Sequence, residues 1–404
     1  MESVAKFTSH ENKVKKETSK LTYYVYIIVF LCSSLLVIGL TFVFSASYSL
    51  SLNRYGNPFY VFFKQILWVI VGFMAMFIFT KVDTSLYKKW IKLIVFVGII
   101  IGLLPFVPGI GKSKGEAMRW INLGFFTISS SEILKLVLPL YISVVLSRKE
   151  NKKNFVKVFL PIFIVTIFFF LLISLQLDLS SALLVLATGV IVMYVGGVPL
   201  FQIVITIVFS SFFILFWGEK YVYIQNRIFS FLDPWSDPFN RGYHYIYMLK
   251  SFENGILGLG LGNGIIKEKY LPEPHTDSIF AVVGEETGLI GTMLILISLV
   301  LIFFYSAKLA VNVNDSYKSP LIIGLSSTIS LWGVVNVLVN LGLLPPTGTS
   351  LPLISYGGSN VITSLIALGI IYRVYKEEVS PNKSNLYPVQ SKKLQVTLNL
   401  KKYN

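Results

Sequence analysis

The run TYYVYIIVFLCSSLLVIGLTFVFSA, Thr22 to Ala46, carries no charged residue. A stretch of that length matches a hydrocarbon core of about 30 Å, where a chain must close its own backbone hydrogen bonds and does so as a helix. Further apolar stretches follow, and ten spans are read at about 23–45, 59–79, 91–108, 132–147, 158–175, 180–197, 199–217, 287–307, 320–342 and 359–375. With 54% hydrophobic and 14% charged residues and a mean hydropathy of +0.70, the expected fold is an all-α integral membrane protein of about ten transmembrane helices. The two soluble domains that 404 residues could hold are set aside. The first span follows a polar, Lys-rich tail without a small-residue cleavage site, so it reads as a retained span and not a signal peptide.

The net charge of +15 raises nucleic acid as a partner, but the placement of the charges points elsewhere. Of the 35 lysines and arginines, 23 fall on the N-terminal side of the bundle, ten on the other side and two, Lys64 and Lys135, inside spans. This is the positive-inside pattern, and it places both termini in the cytoplasm. The single cysteine, Cys32, lies in the first span, so no intramolecular disulfide or Cys-based metal site is available, and His10, His244 and His275 are scattered.

The expected organisation is a basic cytoplasmic tail over 1–22, a membrane domain over 23–376 and a second basic cytoplasmic tail over 377–404. Between the seventh and eighth spans an outer loop, 218–286, is long enough to be functional. It is rich in Tyr, Phe, Trp, Gly and Pro, which argues against disorder. IQNRIFSFL and GYHYIYMLKSFENG within it read as interfacial or re-entrant helices. SIFAVV, Ser278 to Val283, is too short to cross, with Glu285 and Glu286 interrupting it before the eighth span.

Several stretches carry candidate chemistry. SSSEILK opens the fourth span: Ser129 and Glu132 fit a capping box, and Glu132 and Lys135, one turn apart, fit an ion pair facing the bundle interior. Asp178, between the fifth and sixth spans, fits a helix N-cap. GLGLGNG, Gly258 to Gly264, lacks the βαβ setting of a dinucleotide loop and reads as close packing. The uncharged loop NLGLLPPTGTSLPLISYGG offers Thr347, Ser355 and Tyr356 to a polar ligand or merely caps the bundle. In YLPEPHTDSIFAVVGEETGLIG, Asp277 fits either an N-cap or a general base tuned by partial desolvation, with Glu285 and Glu286 as supporting residues.

Taken together, these stretches resemble the SEDS family of bacterial FtsW, RodA and SpoVE proteins. The likeness runs from FVFSASY (Phe42 to Tyr48) through RWINLG (Arg119 to Gly124), DPWSDPFNRGY, YLPEPHTD and GEETGLIG to LPPTGTSLPLISYGG. The chain departs from the family pattern at Ser129, Ser130, Leu177, Ser180, His244 and Ser278; at the last two the family usually has Gln and Phe. The Lys-rich tail and the SAS motif lean toward the division-type FtsW. The resemblance implies a glycosyltransferase that polymerises lipid II into glycan strands at the outer face of the bacterial plasma membrane. The implied partners are a class B penicillin-binding protein transpeptidase and other divisome or elongasome membrane proteins, with no role for nucleic acid. It carries Asp277 over as the essential carboxylate, Glu132 and Lys135 as the Ser-Glu-x-x-Lys positions and Arg119 as the outer-loop arginine. Arg119 and Lys135 are candidates to meet phosphate charge, and a divalent cation could share that task, although no ligand cluster marks one. The alternatives are a lipid II flippase, which needs polar lining through the bilayer, and a non-catalytic division scaffold.

Overall fold

The computed structural model describes residues 2–114, 117–124, 126–148, 154–220, 222–313 and 315–379. The expected C-terminal tail, from 380 onward, lies outside the described residues. The long helices are α1 (Glu2–Tyr55), α2 (Tyr60–Phe79), α3 (Thr84–Leu103), α4 (Ser130–Ser147), α5 (Leu160–Leu175), α6 (Leu179–Val195) and α7 (Leu200–Lys220), then α11 (Ile279–Val311), α12 (Lys318–Asn340) and α13 (Gly358–Val379). Between α7 and α11 lie α8 (Val222–Leu232), a 3-10 turn (Pro234–Ser236), α9 (Tyr243–Lys250) and α10 (Ile266–Lys269). Among the described residues eight helices are long and apolar enough to cross a membrane. Where the sixth and seventh spans were expected, α6 and the 200–215 part of α7 are shorter apolar helices.

Helices α4 and α12 form the centre of the bundle. α12 packs along α11, α6, α4 and α13, and α4 packs against α3, α6 and α5. Their burial on nearly every side explains why serines and threonines are tolerated there: the hydroxyls of Ser326, Ser327 and Thr328 donate to carbonyls three or four residues back at 3.0, 2.8 and 2.7 Å. The exposed faces of α2, α3 and α7 instead present Phe63, Met74, Phe96 and Phe212, side chains suited to lipid contact.

One element was not foreseen. The strands β1 (Gly111–Lys114), β2 (Ala117–Asn122) and β3 (Thr127–Ser129) form a small antiparallel sheet, with Trp120 opposite both Lys112 and Ser129. β3 runs straight into α4, and Met118 N–H donates to the Gln176 carbonyl at 2.9 Å, so the sheet covers the α4, α5 and α6 ends. We refer to this end, which also carries residues 218–286, as the loop end.

The expected interruption before the eighth span is displaced. Glu285 and Glu286 are helical, and the break falls at Gly288, whose φ of 59° and ψ of −147° divide α11 into a short buried helix and a long span. The break exposes backbone groups that the glycine-rich loop takes up. Leu259 and Gly260 N–H donate to the Glu285 and Glu286 carbonyls, both at 2.9 Å, while Leu289 and Ile290 N–H donate to the Gly255 and Ile256 carbonyls. A Cβ on Gly288 would meet the Gly255 carbonyl oxygen at 2.5 Å, and one on Gly258 would meet Gly288 N at 2.6 Å. GLGLGNG is therefore a packing motif fitted to the α11 break.

Candidate active site

Asp277 is placed by a turn and two amides. Thr276 N–H and Oγ1 both donate to the Glu273 carbonyl, at 3.1 and 2.8 Å, closing the turn in which Glu273 adopts a left-handed φ of 48°. The Asp277 carbonyl accepts from Asn336 and Asn340 Nδ2 at 3.0 and 3.1 Å. These amides stand one turn apart on α12, so both reach the same point. Ser278, not Asp277, occupies the N-cap of α11. Among the described residues the Asp277 carboxylate takes one hydrogen bond, from Thr276 Oγ1 at 3.1 Å. The N-cap reading of Asp277 therefore fails, and the half-buried carboxylate retains lone pairs for a ligand.

Asp277 lines a cavity of about 220 Å³ together with Ser278, Arg227, Arg241, His244 and Thr347. Arginines of α8 and of the segment before α9 thus share a small space with one carboxylate. His244 Nε2 lies 3.0 Å from Ser278 Oγ. The two positions at which this part of the sequence leaves the family pattern are bonded to each other, and they tie α9 to the N-cap of α11.

A second cluster supports the cavity's rim. Arg119, on β2, pairs with Asp178 at 2.6 Å and donates to the Gly348 carbonyl at 2.9 Å. Asp178 is also the expected cap, accepting from Ser181 N–H at 3.2 Å, and it accepts from Ser131 Oγ at 3.3 Å. Burial works against its charged form, but the Arg119 guanidinium and the Ser181 hydrogen bonds prevail and hold the carboxyl below the usual range. A methyl on Gly348 would stand 3.5 Å from Arg227 Nη2 and 3.8 Å from Arg119 Nη2, so both cations flank the loop that carries Thr347.

The remaining candidates hold the bundle together around this site. The capping box at Ser129 does not form: its hydroxyl meets Ser131 Oγ at 3.0 Å and makes no cap bond. Glu132 instead pairs with Lys135 and accepts from Thr363 Oγ1 at 3.0 Å, and the fully buried Lys135 ammonium sits 4.6 Å from the Trp332 ring centre. That pair joins α4, α12 and α13 and does not line the Asp277 cavity. Glu285 accepts from Ile265 and Ile266 N–H at 2.6 and 2.7 Å, at the start of α10. Glu286 pairs with Lys267 and accepts from Ser45 Oγ at 2.6 Å, which links the SAS motif to the GEETG motif.

Ser355 Oγ accepts from Leu351 N–H at 2.8 Å and is buried. Tyr356 N–H donates to the His275 carbonyl at 2.8 Å, and its ring packs on His275. Burial first, then the neighbouring Tyr55, Tyr60 and Glu273, push the Tyr356 hydroxyl up to about 12. Of the loop hydroxyls put forward, Thr347 alone reaches the cavity. Arg227, Arg241, His244, Asn336 and Asn340 were missed as site residues. Two asparagines at i and i+4 inside an apolar span were the available signal, because uncompensated amides at membrane depth are costly. Among the described residues no group of three or more His, Cys, Asp or Glu is placed to hold a metal ion.

The fold and site define a multi-pass helical membrane protein with a carboxylate and arginines gathered in a small cavity at one end of its bundle. The chain belongs to the FtsW/RodA/SpoVE family of cell cycle proteins, whose family model matches residues 26–380. It is 35% identical over 368 residues to a "Probable peptidoglycan glycosyltransferase FtsW" of Wigglesworthia glossinidia brevipalpis, covering 89% of this chain and 95% of that one. It is 33% identical over 361 residues to "Stage V sporulation protein E" of Bacillus subtilis, covering 88% and 98%. The fold superimposes with a TM-score of 0.70, at 24% identity and over 87% of this chain and 97% of the other, on a solved structure described as "Structural coordination of polymerization and crosslinking by a peptidoglycan synthase complex".

Proposed function

We propose that the protein is a peptidoglycan glycosyltransferase that polymerises lipid II at the outer face of the bacterial plasma membrane, beside a class B penicillin-binding protein transpeptidase. The observation that carries this reading is the Asp277 carboxylate, which keeps open lone pairs in a cavity shared with Arg227 and Arg241. The ten-span topology, with α6 and α7 completing it, both termini cytoplasmic and the loop end outside, follows from the positive-inside count.

In this mechanism Asp277 takes the proton of the acceptor GlcNAc 4-hydroxyl as that oxygen attacks the donor MurNAc anomeric carbon. The bond from that carbon to the pyrophosphate oxygen breaks, and undecaprenyl pyrophosphate leaves with the electron pair. A single in-line displacement converts the α-linked donor into a β-1,4 product. Arg227 and Arg241 meet the charge growing on the leaving pyrophosphate, the task for which guanidinium geometry is suited. Arg119, held by Asp178 and Gly348, positions the loop that brings Thr347 to the cavity. Asn336 and Asn340 hold the Asp277 backbone. A flippase would need polar lining at midplane, whereas the Glu132–Lys135 pair is sealed within the bundle.

The test is reconstitution in liposomes with labelled lipid II and the transpeptidase partner. General-base assistance is worth about 100- to 10,000-fold, so Asp277→Ala should lose that much polymerisation while still binding lipid II. Polymer from the variant at the wild-type rate sinks the base assignment. Lipid translocation by the wild type without polymer supports the flippase, and full function of Asp277→Ala in division without polymerisation supports a scaffold.

A further inference from the structure

A second cavity, about 430 Å³, opens beside the outer end of α1. Ser45, Ser49 and Asn53, spaced four residues apart, put a polar stripe along one face of that helix, and Arg54, Lys267 and Glu268 add charged groups to the lining. Leu271 and Pro274 also line it. The same short segment continues to Asp277 and Ser278, which line the 220 Å³ cavity. One stretch of chain therefore borders both cavities, and Pro274 and Asp277 are at most about 10 Å apart along three residues.

Size and charge distinguish the two spaces. Pockets that enclose a drug-sized ligand run from about 300 to 1,000 Å³, a range that the α1 cavity reaches and the Asp277 cavity does not. Two substrate headgroups and the chain already built do not fit in the smaller space alone. Of the two cations that line the α1 cavity, Arg54 is exposed and Lys267 is buried. Its buried cation, Lys267, is already committed to Glu286, to Ser45 Oγ at 2.7 Å and to the Gly262 carbonyl at 3.2 Å. Beside the Arg54 guanidinium it presents hydroxyl, amide and carboxylate groups, with Ser49 Oγ donating to Glu268 at 3.0 Å. Such groups pair with sugar hydroxyls, which both donate and accept.

We propose that the α1 cavity is a saccharide subsite that holds the β-1,4 glycan beyond the reacting sugars, while Asp277 acts across the 271–277 segment. This rests on the polymerase reading above. Retention of the strand at this subsite favours further addition over release, so its loss shortens the product. Each hydrogen bond to the glycan that is lost should lower the ratio of elongation to release about fivefold.

The test compares wild type, Asn53→Ala and Ser49→Trp in the liposome assay, reading product length. Thr41→Ala, at an exposed position on α1, serves as the control. Shorter strands from the two cavity variants, with wild-type length from the control, support the subsite. Wild-type length from both cavity variants overturns it. A raised KM for lipid II with unchanged length assigns the cavity to incoming substrate and also overturns the strand assignment. A second measurement does not depend on turnover: in a Cys32→Ala background, soluble GlcNAc-MurNAc oligosaccharide should slow maleimide labelling of Asn53→Cys severalfold. No slowing speaks against the subsite even if the wild type makes no polymer, a result that would instead remove the proposed reaction.

Discussion

At the residue scale, the arrangement around Asp178 shows a side chain with two tasks. Its carboxylate caps α6 and neutralises Arg119. Removing one partner of a buried pair leaves the other charge uncompensated. Arg119 keeps some solvent contact, so Asp178→Asn should cost about 3 kcal/mol at neutral pH, the low end for buried pairs. Because the folded carboxyl titrates below its unfolded value of about 3.9, this contribution is complete above that pH and fades as pH falls through the folded value. Melting of the two proteins in detergent from about pH 7 to pH 3 should show the gap in Tm narrowing only at the acid end. A gap of constant width would mean that Asp178 contributes packing and not charge. Sequence reasoning saw the cap and missed the ion pair, because Arg119 lies far away along the chain. At Glu132 and Asp277 the expected caps do not form: the Glu132–Lys135 pair was read from its one-turn spacing, whereas the Thr363 hydroxyl on Glu132 and the α12 amides on the Asp277 carbonyl depend on how the helices pack.

At the element scale, spans were readable because a bilayer accepts few solutions, and each long apolar run had to be a helix. The sheet over 111–129 escaped because strands of three to six residues give almost no periodic signal. The α11 break was expected two residues too early, at the carboxylates. Glu285 and Glu286 stay helical since their side chains find partners at α10, Lys267 and Ser45. Gly288 supplies a backbone conformation that side chains rarely adopt, with a cost of about 1–3 kcal/mol for other residues. Gly288→Ala would meet that strain and also drive a methyl into the Gly255 carbonyl. Gly56→Ala has a similar φ of 67° but open space around it. Thermal melting should therefore show a larger loss for Gly288→Ala than for Gly56→Ala, and protease should cut within 255–264 in the first variant alone. Equal losses would show that the glycine loop is not fitted to the break.

At the scale of the whole molecule, charge asymmetry and site position make one joint statement. The Asp277 cavity, the sheet and the 341–357 loop meet at one end of the bundle, and that end is the one with fewer lysines and arginines. Helix α6, at about 25 Å by its 17 residues, falls slightly short of a core of about 30 Å, so its crossing depends on its neighbours and not on length alone. If α6 and α7 failed to complete the crossing as a pair, the site would face different compartments on different helices. Single cysteines settle this in a Cys32→Ala background, since Cys32 is fully buried in α1. Phe239→Cys, at a strongly exposed position of the loop end, should react with a membrane-impermeant maleimide on right-side-out vesicles. Asn312→Cys, just past α11 at the opposite end, should react only after the vesicles are permeabilised. Labelling of both without permeabilisation would mean that α11 does not carry the chain across, and labelling of Asn312→Cys alone would place the carboxylate and its arginines on the wrong side for a polymer built outside the cell, whatever their chemistry.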